Sequence, residues 1–199
     1  MQQLLDRLGI VTREAAQAAG FEGGFTAAYG VLKAMEEAGR VRRGYFVSGL
    51  GATQFALPGV VDRLRALREP AEHPESVLVA AVDPANPYGT ALPWPDRPEG
   101  RRPMRIAGSH VILVDGYLAA WLAKSERQML TFTDSVGERD PELVRREIAR
   151  VLAAEVGPGK RRAILIEEAD SQPVHESPMA PALLNSGFIR TNQGYLKRL

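Results

Sequence analysis

The feature that most constrains the fold of this chain is a helical pattern that runs directly into a glycine-rich hairpin pattern. In the helical part, apolar residues recur at the spacing of one helix face, at Phe25, Ala28, Tyr29, Leu32 and Met35. After Gly39 the apolar residues recur at about every second position, the period of a β-strand, first over residues 41–47 and again over residues 55–57. Two shorter helical patterns precede this segment, and one follows it at Val60–Leu67. This order is that of a winged helix-turn-helix domain, which we predict for residues 1–70.

The predicted hairpin carries a local positive charge. Arg40, Arg42 and Arg43 lie in it, and no acidic residue occurs between Glu37 and Asp62. The whole chain has a formal net charge of only +1, so a nucleic-acid surface must be a local patch. We predict that the arginines contact DNA phosphates, because guanidinium groups match phosphate oxygens and displace counterions. The alternative is a solvated edge, where arginine discourages strand pairing.

Three further residues are candidates for phosphate contact because they stand at predicted helix starts. They are Thr12, Arg13 and Thr26. Free backbone amides and the helix dipole favour a phosphate at such positions. The alternative is that they only cap their helices, and Thr12 in particular has the residue type and position of an N-cap.

The outward face of the third helix is informative because of what it lacks. It carries Lys33 as its only long basic side chain, with Thr26, Ala27, Gly30, Ala34 and Glu37 around it. Reading base edges in the major groove usually needs Arg, Lys, Asn or Gln. We therefore predict binding through phosphates with little sequence preference. The alternative is that this face packs against another winged helix.

A change of composition near residues 69–75 predicts a domain boundary, and residues 76–199 predict an α+β domain. Asp115-Gly116 is typical of a two-residue hairpin turn, and Asp140-Pro141 is typical of a helix start. Ser177-Pro178 predicts a second, shorter helix. We expect a small mixed α/β barrel-like domain, either a curled sheet or an open barrel with two flanking helices. Its first predicted strand is the apolar run 76–82, which we expect to be buried. The other predicted strands include 104–107, 110–114, 117–122, 129–133 and 163–166.

Several kinds of site are disfavoured by the composition. The chain has no cysteine, which rules out disulfides, thiolate zinc sites and cysteine nucleophiles. The glycines and Lys160 of residues 157–162 lack the spacing of a phosphate-binding loop, so we predict a tight turn, no ATP hydrolysis and no cofactor or metal. No apolar run approaches the roughly 20 residues that span a bilayer, and we see no signal peptide pattern. We expect no membrane partner and a cytoplasmic location.

Most of the sequence resembles the C-terminal end of Lhr, the large helicase-related family of bacterial DNA helicases. The resemblance is carried by FTAAYGVLKAMEEAGRVRRGYFVSGLGATQFALPG, VDPANPYGTALPWP, VILVDGYLAAWLAKSERQMLTF and SPMAPALLNSGFIRTNQGYLKRL. It implies a last winged helix followed by a β-barrel module similar to that of AlkZ-type DNA glycosylases. The implied function is a non-catalytic accessory module of a DNA repair helicase. Its implied partners are DNA, as duplex or as a single-strand/duplex junction, and the motor and winged-helix domains of the parent chain.

Two other functions remain open at this stage. The first is a DNA glycosylase domain or part of one. The AlkZ-type pair of glutamines around one apolar residue is only half present at Gln54-Phe55-Ala56, so we assign Gln54 no catalytic role. Asp170 and His175 are close in sequence and are the candidate acid–base pair for such chemistry. The second is an oligomerisation or protein-interaction module, which makes a homo-oligomer a possible partner arrangement.

Three aromatic residues of the second segment are also candidates. Tyr88 and Trp94 lie in a long proline-rich loop, and Trp121 lies in a predicted strand. Aromatic rings of this kind stack on unpaired bases in many nucleic-acid-binding proteins. The alternative is burial in the core or anchoring of the loop.

Overall fold

The computed structural model describes residues 1–51, 53–67, 71–97 and 100–199. The chain divides into two compact units, which are Met1–Pro70 with Gly89–Pro93 and Ala71–Tyr88 with Trp94–Leu199. The linker predicted near residues 69–75 begins at residues outside the described ranges. Across those ranges, no helix combines the length and the apolar character needed to cross a membrane.

The described residues of the first unit form four helices and three short strands. In chain order these are α1 (Gln2–Leu8), β1 (Ile10–Val11), α2 (Arg13–Ala18), α3 (Gly24–Glu37), β2 (Arg42–Gly44), β3 (Gln54–Ala56) and α4 (Pro58–Ala66). Strand β3 is central in an antiparallel sheet, with β1 on one side and β2 on the other. This is the winged helix arrangement that the sequence predicts.

The core of the first unit is built around helix α3. The helix follows Gly23, whose φ of 76° is a left-handed conformation that favours glycine. It buries Ala28, Leu32 and Met35, which belong to the same apolar cluster as the fully buried Phe55 of β3. The predicted inward face of the third helix is therefore confirmed.

The second unit contains the remaining elements. They are β4 (Ser76–Ala80), β5 (His110–Val114), β6 (Tyr117–Leu122), β7 (Gln128–Thr131), α5 (Pro141–Ala154), β8 (Ala163–Ile166), β9 (Glu168–Ala169), β10 (Gln172–Pro173), α6 (Ala180–Asn185), β11 (Ile189–Arg190) and β12 (Tyr195–Arg198). Six strands form one sheet in the order β4-β5-β6-β7-β9-β10, and β8, β12 and β11 form another. The pairs are antiparallel except β7 with β9.

Two turns that contain non-glycine residues at positive φ shape the larger sheet. Asp115 has a φ of 50° and Gly116 a φ of 80°, and the flanking residues Val114 and Tyr117 pair directly, as the sequence predicts for this hairpin. Asp170 and Ser171 also have positive φ values, 55° and 66°, and connect β9 to β10. The side chain of Asp170 tolerates this conformation more readily than most, and its contacts are described below.

The larger sheet carries apolar residues on both faces because successive strand residues point to opposite sides. On one face, Ile112 and Leu122 share a cluster with Ile148 and Leu152 of helix α5. On the other face, Trp121 belongs to a second cluster with residues such as Val111, Leu113, Leu130 and Phe132. Asp140 is the N-cap of helix α5, and its carboxylate accepts a hydrogen bond from the Glu142 amide at 3.0 Å, so the predicted helix start is confirmed.

The α+β class is confirmed, and the sheet is open. Among the described strands, β4 and β10 occupy opposite edges and do not pair with each other, so the barrel-like domain of the sequence-based prediction takes the form of an open sheet. Strand β4 was predicted to be buried but is an edge strand, and its Val77 is 49% exposed. A pattern of apolar residues does not distinguish the centre of a sheet from its edge.

The prediction of a strand at Met104–Ala107 is wrong. The structure has no strand there, because the segment's carbonyl groups bond to side chains instead of to a neighbouring strand. The Met104 carbonyl accepts hydrogen bonds from Trp121 Nε1 and Ser109 Oγ, both at 3.0 Å. The Ile106 carbonyl accepts another from Ser109 Oγ at 2.7 Å.

Candidate nucleic-acid interface

The tip of the hairpin in the first unit is organised by one buried glutamine. We use the name wing for the described residues from Arg40 to Ala56, which include β2 and β3. Gln54 is fully buried, and its Oε1 accepts hydrogen bonds from the amides of Phe46 and Val47, both at 2.8 Å. Its Nε2 donates to the Val47 carbonyl at 2.9 Å and to the Gly51 carbonyl at 3.4 Å. Gln54 therefore satisfies backbone groups beyond the end of β2 and holds the tip in one conformation.

Two of the three arginines at the wing keep their charge available. Arg42 is exposed, and its side chain makes no hydrogen bond or ion pair with any described residue. Arg40, just before β2, is also exposed, and its Nη2 donates to Gln2 Oε1 at 3.2 Å. Because the glutamine is neutral, the charge of Arg40 is not compensated by this contact.

Arg43 is placed differently from the other two. Its Nε lies 3.2 Å from Glu36 Oε1 of helix α3, and its Nη1 lies 3.5 Å from the Tyr29 hydroxyl. Alternate residues of a strand share a face, so Arg43 follows the buried Val41 toward the helix. The Glu36 carboxylate offsets part of its charge, so the wing presents two uncompensated arginines rather than three.

The helix-start candidates have separate roles in the structure. Thr12 is only 3% exposed, and its hydroxyl accepts a hydrogen bond from the Ala15 amide at 3.1 Å, so it caps α2. Arg13 is exposed, with its guanidinium carbon 5.9 Å from the centroid of the Phe25 ring. Thr26 is exposed in the first turn of α3. Contact of these residues with DNA stays a prediction.

The outward face of α3 has the composition that the sequence indicates. All six residues assigned to it are exposed: Thr26, Ala27, Gly30, Lys33, Ala34 and Glu37. Lys33 Nζ lies 3.9 Å from Glu37 Oε1, and both side chains are more than half exposed, at 58% and 69%, so this pair is weak. Val31 is a further exposed residue of this helix, at 46%.

One residue of the wing was missed as a candidate by the sequence reasoning. Tyr45 was assigned to a strand face, but β2 ends at Gly44 and the Tyr45 side chain is 82% exposed. Its neighbour Phe46 folds back over Gly44, where an added Cβ would lie 2.9 Å from Phe46 Cζ. The signal available in the sequence was the glycine before an aromatic pair, which permits one ring to fold back while the other stays in solvent.

The aromatic candidates of the second unit are packed inside it. Trp121 is 1% exposed. Tyr88 and Trp94 are partly buried against the Trp121 cluster, with their rings stacked at a centroid distance of 6.4 Å and an angle of 20°. Burial raises the pKa of Tyr88, although its hydroxyl accepts a hydrogen bond from the Leu118 amide at 3.1 Å. These rings anchor the loop, which is the alternative that the sequence analysis left open.

Asp170 and His175 do not form the acid–base pair considered from the sequence. Asp170 Oδ1 accepts hydrogen bonds from Arg97 Nη1 at 2.9 Å and the Thr131 amide at 2.8 Å. Its Oδ2 accepts one from Thr131 Oγ1 at 2.6 Å. His175 instead lies beside Glu176, with Nε2 and Oε1 3.5 Å apart. The turn between β9 and β10 directs Asp170 toward β7, which short sequence separation did not reveal.

A cavity of about 460 Å³ lies beside Asp170 in the second unit. Its walls include the Arg97–Asp170 ion pair, the ring of Phe132 and two further carboxylates, Asp96 and Asp134. Both of these carboxylates are exposed and make no hydrogen bond with any described residue. The cavity therefore combines an apolar ring with unpaired acidic groups.

Comparison with known proteins places the chain in a family. Residues 1–76 match a family model described as the winged-helix domain of the large helicase-related protein. A Lhr helicase/probable uracil glycosylase of Mycolicibacterium smegmatis is 41% identical over 202 residues, covering 96% of this chain. The Lhr helicase/uracil glycosylase of Escherichia coli K12 is 36% identical over 196 residues, covering 97% of it. The chain belongs to the Lhr family of helicases.

The match to the Lhr family concerns its C-terminal region, as the sequence passages indicate. The chain spans 13% of the length of the M. smegmatis relative and 12% of that of the E. coli relative. The winged helix seen in the first unit agrees with the family model. The likeness of the second unit to AlkZ-type glycosylases stays a prediction.

Proposed function

We propose that this region of an Lhr-family helicase binds DNA through its winged helix and contacts mainly phosphates. The observation that carries the proposal is the wing itself. It has no acidic residue between Glu37 and Asp62, and it presents Arg40 and Arg42 with uncompensated charge. Phosphates are the groups that an exposed, unpaired guanidinium binds most favourably. Arg43 has a different part, since its bond to Glu36 holds the wing against α3.

The same surface supports binding with little sequence preference. Apart from Lys33, helix α3 offers exposed side chains that are short, apolar or acidic, and Lys33 has Glu37 beside it. None of them combines the reach and the paired donors or acceptors that discriminate base edges. A phosphate contact positions the protein but carries no sequence information. We propose that the motor and other winged-helix domains of the parent chain supply the remaining contacts.

Sequence neutrality is tested by titrating the chain against three blunt duplexes of unrelated sequence. We expect dissociation constants that agree within about threefold, because phosphates are common to all three. We expect the logarithm of affinity to fall linearly with the logarithm of salt concentration. Fluorescence anisotropy of labelled duplexes measures both quantities.

A preference of more than about tenfold for one duplex would contradict this part of the proposal, since it corresponds to a base-specific contact. Absence of binding at low salt, together with self-association that depends on concentration, would instead support the oligomerisation module. Sedimentation velocity of the same samples distinguishes these outcomes.

A second candidate function, base excision, is favoured by the cavity in the second unit. The E. coli relative is named as a helicase and uracil glycosylase, and the M. smegmatis relative as a helicase and probable uracil glycosylase. The cavity of about 460 Å³ is of the size of a small-molecule site, and glycosylases accept a base that is turned out of the helix. We propose Asp134 as the carboxylate that would stabilise the sugar cation, because the short helical turn Thr133–Ser135 holds it in the cavity wall, whereas Asp96 lies in an irregular loop. Asp170 is already held by Arg97 and Thr131.

Base excision is tested by incubating the chain with single-stranded and duplex DNA that contains one uracil. Release of the base leaves an abasic site, which hot alkali cleaves and gel electrophoresis detects. We expect Asp134→Asn to slow the release by at least about 100-fold, as for loss of a positioned carboxyl group. Asp62→Asn, an exposed change on α4, is the matched control. No release by the wild-type chain, or equal rates in both variants, would remove this candidate.

A further inference from the structure

Among the residues that the structure describes, Tyr45 has the most exposed large hydrophobic side chain, at 82%. It makes no hydrogen bond with any of them. A single exposed tyrosine needs no explanation on an ordinary surface. This one stands on the wing, three residues after the exposed Arg42, in a stretch with no acidic residue between Glu37 and Asp62.

The backbone at Tyr45 is held by the residues next to it. On one side, Phe46 folds back over Gly44. On the other side of the hairpin, Gln54 accepts hydrogen bonds from the amides of Phe46 and Val47 at 2.8 Å. The backbone around Tyr45 is therefore held at both the preceding and the following residues. An aromatic side chain has few rotatable bonds, so little conformational entropy is lost when such a ring binds a partner.

Tyr45 comes directly after the end of β2, close in sequence to the charged residues of the wing. Three positions before it, Arg42 is exposed, and its side chain has no partner among the described residues. Between them, Arg43 contacts Glu36 and Tyr29 of α3. An exposed ring and an uncompensated guanidinium group therefore belong to the same short segment of the wing.

We propose that Tyr45 stacks on an unpaired base, so that the wing prefers a single-strand/duplex junction to a blunt duplex. The inference rests on the proposed DNA binding and names the structure that is bound. Bases stack on aromatic rings irrespective of their identity, which is compatible with an interface that lacks base-reading side chains. In a blunt duplex the base faces are stacked on each other except at the two ends, whereas an overhang offers free faces on each of its unpaired bases. Arg40 and Arg42 would hold the adjoining phosphates.

The test compares Tyr45→Ala with Tyr45→Phe on two labelled DNAs, a blunt duplex and the same duplex with a single-stranded overhang. We expect Tyr45→Ala to weaken binding to the overhang DNA about tenfold, within the range of one base–aromatic stack. Binding to the blunt duplex should stay within about twofold. Tyr45→Phe keeps the ring and should bind both DNAs as the wild type does. Because the side chain is exposed, both variants should fold, which circular dichroism verifies.

A second readout reports stacking directly. With 2-aminopurine as the first unpaired base, its fluorescence should be quenched on binding of the wild type and of Tyr45→Phe, but not of Tyr45→Ala. If Tyr45→Ala lost equal affinity for both DNAs, or lost none, the inference would be overturned. The proposed function would stay intact in either case as long as the wild type binds the blunt duplex. Failure of the wild type to bind either DNA would overturn both.

Discussion

Gly194→Ala is expected to destabilise the second unit by about 3 kcal/mol, at the upper end of the cost of overpacking a well-filled site. A Cβ added at Gly194 would lie 2.1 Å from the carbonyl oxygen of Ile166 and 2.9 Å from the Glu167 Cα. Both are backbone atoms, which cannot turn away as a side chain would. The clash falls at the start of β12, where Tyr195 pairs with Ile166. Relief of the contact therefore requires β12 and β8 to separate.

The matched control for this change is Gly159→Ala in the same unit. Gly159 has a φ of 74°, and a Cβ there would meet no atom within 4 Å. Its substitution should cost about 1–2 kcal/mol, the strain of an L-residue in the left-handed region. The difference between the two variants reports the close approach of Gly194 to the backbone of β8, together with the strain of an L-residue at the φ of 153° that Gly194 adopts.

Urea unfolding measured by tryptophan fluorescence suits this comparison. The chain has two tryptophans, and both Trp94 and Trp121 belong to the second unit. We expect the unfolding midpoint of Gly194→Ala to fall well below that of Gly159→Ala. Equal midpoints would show that the described approach of β12 to β8 is wrong.

The elements that the sequence predicted correctly depend on neighbouring residues. The N-caps at Thr12 and Asp140 each need only a hydroxyl or carboxylate and an amide two or three residues later. The Asp115-Gly116 turn needs only two residues that accept positive φ. The inward face of α3 needs only the period of a helix. In each case the residues that determine the structure are only a few positions apart in the sequence.

The features that were missed depend on residues that are distant in sequence. The Arg97–Asp170 ion pair joins residues 73 positions apart, and it explains why Asp170 does not face His175. The predicted strand at Met104–Ala107 does not form because Trp121 and Ser109 take the Met104 carbonyl. Local periodicity contains no information on such partners.

The candidate interface shows the same division on a smaller scale. The sequence located the basic hairpin but treated its three arginines as equivalent. The structure distinguishes them, because the Arg43 side chain pairs with Glu36 of the preceding helix α3. The Arg42 side chain has no partner among the described residues. The buried role of Gln54 was also outside the reach of the sequence, since its four hydrogen bonds end on backbone groups of the wing.

Arg40→Ala/Arg42→Ala is expected to have the largest effect on DNA binding of any change that preserves the fold. Both side chains are exposed, and Arg43 remains to hold the wing against Glu36. Each lost phosphate contact lowers the slope of log affinity against log salt by about 0.9, so the double variant should lose about 2 from that slope. At low salt this corresponds to a loss of affinity of about 100-fold.

The matched control is Arg63→Ala/Arg65→Ala, which removes the same charge from exposed positions of α4 in the same unit. If the effect arose from net charge alone, the two double variants would behave alike. If the wing binds phosphates, the control should keep a slope within about 0.5 of the wild type, less than the change from one contact.

The salt dependence of duplex binding by these two double variants therefore tests the central claim most directly. Anisotropy titrations at four or more salt concentrations give each slope. The account predicts a slope lower by about 2 for Arg40→Ala/Arg42→Ala and an almost unchanged slope for Arg63→Ala/Arg65→Ala. Equal slopes for the wild type and the wing variant would contradict it, since the wing would then make no contact with the phosphate backbone.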